Sequence, residues 1–172
     1  MIMRPGEPLL LPANPLFIWG SLLAALLVNM LPLGRTPWMP DLLALTLVFW
    51  SVHQPLHIGI GTAFMFGLAM DVHQASLLGQ HALAYTALSF FAIAIHRRLL
   101  WFTVPSQALQ VFPLFAAAHL IELAIRMIAG GIFPGWGFVL APVLEGALWP
   151  LATVILLAPQ RRAHDPDENR PL

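Results

Sequence analysis

Cysteine and lysine are both missing from the chain, and only 9% of its 172 residues are charged. The first absence removes structural disulfides, thiolate metal sites and cysteine nucleophiles together. The second, with a formal net charge of zero, leaves no basic platform for nucleic acid. So small a share of charge also excludes a water-soluble domain of this length, whose exterior would need more. Also lacking are a Gly-rich phosphate loop, a His-Glu-x-x-His helix and a Gly-x-Ser-x-Gly elbow. Ser51, Ser76 and Ser106 have no base at a recognisable spacing. His53 and His57 are separated by Pro55, which disfavours the single helix that would align them as ligands, and His73 and His81 merely flank a loop. No catalytic, cofactor or metal residue is assigned, and the chain is read as non-enzymatic.

What remains is apolar: 59% of residues are hydrophobic and the mean hydropathy is +0.78. Such a chain is an integral membrane protein whose exterior faces lipid. Pro5, Pro8, Pro12 and Pro15 prevent a helix in residues 1–15, which read as a short cytoplasmic arm. Six apolar runs follow, at about 16–33, 41–52, 57–70, 81–95, 107–130 and 138–158. The first lacks a basic leader and a small-x-small cleavage site, so it is a retained helix. The expected fold is all-α, a single domain over 16–158 with about six transmembrane helices. The second and third are short and form a tight hairpin across the linker His53-Gln-Pro-Leu-His57. Residues 159–172, polar and acidic, read as a disordered cytoplasmic tail.

Arginine placement orients the bundle. With both termini inside, the inner segments hold Arg4, Arg97, Arg98, Arg161, Arg162 and Arg170, and the outer loops hold Arg35 alone. The embedded charges then all fall in the outer half: Asp41 at the start of the second helix, Asp71 at the end of the third, Glu122 and Arg126 late in the fifth, Glu145 early in the sixth. Glu122 and Arg126 lie four apart and can pair on one helix face, with His119 a turn earlier. The plain reading is a self-neutralising surface pair. The functional reading has Arg126 also reach Glu145 or Asp71 and build a polar cluster for a partner. Glu145 has no local basic mate and calls for a partner on another helix. Asp71 sits unfavourably at the negative end of a helix. It is either a turn-former or a group that fixes the outer loop, with Arg35 or Arg126 as the available cation. Gly59, Ala63 and Gly67 form a small-residue stripe that permits close helix approach.

Between residues 37 and 84 several short motifs occur in order: Pro37-Trp-Met-Pro-Asp-Leu-Leu43, Phe49-Trp50, Pro55, Gly67-Leu-Ala-Met-Asp71, Ser76-Leu-Leu-Gly79 and His81-Ala-Leu-Ala84. In these words, and in its length and order of spans, the chain resembles the MreD family of bacterial rod shape-determining membrane proteins. The C-terminal third matches only in hydropathy, so the resemblance gives no role to Glu122, Arg126 or Glu145. The resemblance implies a non-catalytic scaffold or regulator in the inner membrane. It would serve the elongation machinery that directs side-wall peptidoglycan synthesis, together with an MreC-like single-span protein, MreB, RodA and a class B penicillin-binding transpeptidase. It also implies a bundle similar to the substrate-binding subunit of energy-coupling vitamin transporters. That likeness transfers no function. Outer-half charges lining an occluded pocket would instead make a small-molecule or lipid-binding subunit of transporter type the alternative, with an intramembrane enzyme acting on lipid carriers as a third class.

Overall fold

The computed structural model describes residues 13–31 and 37–161. Among the described residues there are six α-helices and no strand: α1 (Pro15–Met30), α2 (Leu42–His53), α3 (Ile60–Gln74), α4 (Gln80–Leu99), α5 (Val104–Ile128) and α6 (Leu140–Leu157). Pro15, expected in the arm, instead opens α1, where its missing N–H leaves no hydrogen bond unmade. The Asn14 side chain caps the same turn, accepting from the Leu16 amide at 2.9 Å. Residues 1–12 of the arm and Arg35 lie outside the described residues, as does the tail from 162 onward. The expected tail begins too early. A single 3₁₀ turn, Ala158–Gln160, extends α6 and buries Gln160.

The middle of the bundle belongs to α2. Every residue from Leu43 to Val52 is buried, because the helix packs against α1, α4 and α6. Twelve residues reach only about 18 Å, well under a hydrocarbon core of about 30 Å. A helix enclosed by others, however, meets protein rather than lipid along its length. Two segments, Val104–Ile128 and Trp136–Gln160, are by themselves long and apolar enough to cross a membrane. The outward faces of the surrounding helices carry Leu23, Leu27, Phe64, Met65, Phe90, Leu109, Leu120 and Leu151, all exposed. An apolar exterior of this kind is a lipid-facing one.

The tight hairpin of the second and third helices does not form. The linker between α2 and α3 is short, yet α3 lies mainly along α4 and touches α1 at one edge. The cause is the small-residue stripe. At Gly67 a Cβ would fall directly onto the Ala82 backbone, 2.6 Å from its nitrogen and 2.8 Å from the His81 carbonyl carbon. Only glycine lets α3 and α4 approach so closely. Ala63, one turn earlier, is fully buried. Gly59 does not share the contact: it precedes α3 as its N-cap, and a Cβ there would meet nothing within 4 Å.

Candidate functional site

Because the chain reverses direction at each loop, the end of α1, the start of α2, the end of α3, the start of α4, the end of α5 and the start of α6 share one end of the bundle. Two helix N-termini are buried there, α2 and α4. Their first amides have no partner within the helix and no ready access to water. Three carboxylates, Asp41, Asp71 and Glu145, are spent on them.

At α2, Asp41 is the N-cap and accepts from the Ala44 amide at 2.9 Å. Its carboxylate also takes Asn29 Nδ2 from α1 at 2.6 Å and the Tyr85 hydroxyl from α4. The neighbouring amides go to other helices: the Asp41 N–H donates to Glu145 Oε1 of α6 at 2.8 Å, and the Leu42 N–H to Asn29 Oδ1 at 3.3 Å. Glu145, 1% exposed, also holds His119 Nε2 of α5 at 2.8 Å. This joins α2, α5 and α6 through one oxygen.

At α4, the N-cap is Gly79, which has no side chain with which to cap. Asp71 supplies the carboxylate from α3. Its Oδ2 accepts from the amides of Gly79 at 2.8 Å and Ala82 at 3.3 Å. Its Oδ1 accepts from the His81 amide at 2.8 Å and the Ser76 hydroxyl at 2.9 Å, and lies 2.8 Å from His81 Nδ1. Helix α3 also runs one turn further than expected, to Gln74, and closes on Ala75 in the left-handed conformation at φ 49°. The Ser76 amide returns to the Asp71 carbonyl at 3.1 Å. Asp71 thus lies near the negative end of α3 but at the positive end of α4, which removes the unfavourable dipole term expected of it.

Three expected pairings are therefore corrected. Arg126 makes no ion pair with Glu122, Glu145 or Asp71 among the described residues. The side chain beside Asp71 is His81, and the partner of Glu145 is His119. Among the described residues, the one ion-pair contact of Glu122 is His119 Nδ1, at 3.7 Å. For Asp71 and Glu145 the histidine's ring, short and rigid, sits on the facing helix at 2.8 Å, whereas Arg126 is exposed on the last turn of α5. Sequence reasoning did not single out Asn29, Tyr85 and His81 for this cluster. A signal was present for Tyr85, the one tyrosine of the chain, placed four residues after His81.

Beside the cluster lies a cavity of about 760 Å³, whose walls include Asn29, Asp41, His81, His119, Glu122 and Arg126. Its size falls within the range of small-molecule sites, and its polar wall groups come from α1, the start of α2, α3, α4 and α5. The bonds around Glu145 are accessible to test. Glu145→Ala leaves His119 and the Asp41 amide without their acceptor, so a loss of about 1–3 kcal/mol is expected, read as a lower unfolding temperature in detergent. Glu145→Gln keeps one carbonyl acceptor and should lose less.

A sequence model of the family described as rod shape-determining protein MreD matches residues 13–159. The chain belongs to the MreD family. The rod shape-determining protein MreD of Haemophilus influenzae is 31% identical over 136 residues, covering 76% of this chain and 81% of that protein. No solved structure matches the chain. Membership makes this a membrane protein with a role in determining rod shape, within the complex that carries out that task. The match extends through α5 and α6 to residue 159, so the family region includes Glu122, Arg126 and Glu145, which the short motifs of residues 37–84 left aside.

Proposed function

We propose that the chain is a non-catalytic inner-membrane scaffold of the elongation machinery that directs side-wall peptidoglycan synthesis. It acts by binding an MreC-type single-span partner, with MreB, RodA and a class B penicillin-binding transpeptidase in the same assembly. Family membership over residues 13–159 carries this reading. The use of the charges supports it: Asp41, Asp71 and Glu145 each hold helix ends together, a role suited to presenting a rigid surface. Arginine placement supports cytoplasmic termini and a periplasmic polar end.

The stripe residues Ala63 and Gly67 are occupied within the chain, so the partner's membrane helix is assigned to another face. Between α1 and α3 runs an apolar groove of about 430 Å³, lined by Trp19, Leu26, Gly61, Met65, Phe66 and Ala69. Small residues at Gly61 and Ala69 leave room for a helix to lie close. A Cβ at Gly61 meets nothing within 4 Å, so Gly61→Leu fills the groove without disturbing the bundle. The expected result is unchanged yield of the folded chain, loss of co-purification with the single-span partner, and rounded cells with reduced side-wall incorporation of labelled peptidoglycan precursor. Rod shape and side-wall incorporation that persist after depletion of the whole chain would overturn the scaffold role. Persistence in Gly61→Leu alone would move the partner to another face. Alkaline phosphatase activity from a fusion after Leu172 would reverse the orientation. One observation, the polar cavity, favours a second reading as a small-molecule or lipid-binding subunit of transporter type.

A further inference from the structure

Many polar groups at this end of the bundle are spent on one another, and among the described residues Glu122 and Arg126 are not. Asp41 accepts three donors and Asp71 accepts from amides, a hydroxyl and a histidine. Glu122 and Arg126 both line the cavity, yet no described residue hydrogen-bonds to either side chain, and the nearest charged neighbour of Glu122 is His119 at 3.7 Å. They stand one helical turn apart on α5, with Cβ atoms about 5–6 Å apart. Both line the same cavity, and no ion pair joins them.

This pairing constrains what fits. A simple anion would bond to Arg126 but meet the carboxylates of Glu122 and Asp41. A simple cation would take Glu122 and lie against the guanidinium. A ligand that satisfies both carries an ammonium and an anionic group joined by a spacer of about two carbons, short enough to bridge one helical turn. Glu122 accepts the N–H groups, and Arg126 takes the phosphate or carboxylate through parallel hydrogen bonds.

The segment after α5 suits a headgroup entering from the membrane. Ile128, Ile132 and Trp136 are 87%, 89% and 83% exposed. Phe133 packs edge-on to Trp136 with ring centroids 5.7 Å apart, and Pro134 and Phe138 of the same stretch line the cavity. Aromatic and aliphatic side chains of this kind sit at the level of lipid headgroups. The Gly131 amide donates to the Arg126 carbonyl at 2.9 Å. A Cβ on Gly131 would fall 2.7 Å from Arg126 Cγ, so the glycine lets this segment fold against the arginine stem.

We infer that the cavity binds a zwitterionic group, an ammonium joined to a phosphate or carboxylate, held between Glu122 and Arg126. The inference rests on the second reading above, that the cavity is a binding site, and names its ligand class. Two sources share this chemistry: the phosphoethanolamine headgroup of a lipid and a soluble amino acid or aminoalkyl phosphate.

The full chain, purified in detergent, would be offered phosphatidylethanolamine, phosphatidylcholine and phosphatidylglycerol in equal amounts, and retained lipid counted by native mass spectrometry. Soluble phosphoethanolamine and glycine would be tested separately by their effect on thermal unfolding. Phosphatidylethanolamine is expected to be retained about tenfold over the other two, since choline has no N–H to donate and glycerol has no cation. Glu122→Gln and Arg126→Gln should each remove that preference, and Arg126→Lys should restore part of it. No described residue hydrogen-bonds to either side chain, so both variants should elute as the native protein does. The wild-type selectivity needs no variant and decides the matter if they do not. Stabilisation by soluble phosphoethanolamine or glycine without lipid selectivity, lost in the same variants, assigns the site to a soluble zwitterion and upholds the ligand class. Equal retention of all three lipids that is lost when Glu122 or Arg126 is changed keeps the binding site and overturns its zwitterion preference. Retention and stabilisation that ignore both residues overturn the binding reading as well.

Discussion

Asp71→Ala is expected to destabilise the chain by about 3–5 kcal/mol, because several buried donors, each costing about 1–3 kcal/mol when left unmade, lose their acceptor at once. The carboxylate is 1% exposed and accepts the amides of Gly79, His81 and Ala82 and the Ser76 hydroxyl, with His81 Nδ1 also in contact. Alanine would leave the first turn of α4 with buried, unpartnered N–H groups and His81 without its acceptor. Asparagine is not a mild replacement. If its oxygen takes the place of Oδ1, its NH₂ faces the Gly79 and Ala82 amides, donor against donor. Asp71→Asn should therefore lose more than half of what Asp71→Ala loses. Thermal unfolding in detergent measures both. Hydrogen exchange localises the damage, with residues 79–82 losing protection first. Protection there that matches the unsubstituted chain would mean that water or another group caps α4 in place of Asp71.

Gly67→Leu is the second large effect, and its seat is the same pair of helices. A Cβ at Gly67 runs into the backbone of Ala82, which is not the movable end of a flexible side chain, so α3 and α4 must separate. Even Gly67→Ala should cost about 1–3 kcal/mol, the usual range for overpacking. Leucine adds a branched side chain to a contact that has no room for a methyl group, and folded yield should fall sharply. Separation of the helices would also draw Asp71 away from the α4 amides, so the losses in Gly67→Ala and Asp71→Ala should be less than additive. A double-mutant cycle of those two variants checks this. Strict additivity would show that the close approach and the cap are independent. Gly59→Ala is the control, because a Cβ there meets nothing within 4 Å.

Composition and spacing were enough for the class of fold. A chain with 59% hydrophobic and 9% charged residues has to place apolar surface outward, and proline, polar linkers and arginines divide it into six helices. These are local properties, legible along one strand of text. The residues of the polar end were also largely legible, because a carboxylate within an apolar run is costly and has to be used. Their partners were not. Asp71 was read as the end of one helix, and only the packing of α3 on α4 reveals that it begins the next. Helix spacing suggested that Glu122 and Arg126 would pair, since a rule for one helix counts only residues on that helix. His119 instead turns to Glu145, 26 positions away, which no local spacing encodes. The stripe divided in the same way: Gly67 marks a close contact because Ala82 happens to face it, whereas Gly59 has the same residue type and faces nothing. The helices were written in the sequence. Which carboxylate caps which helix, and which two charges remain for a ligand, were decided by tertiary packing, because hydrogen bonds and close contacts depend on positions that are brought together only when the chain is folded.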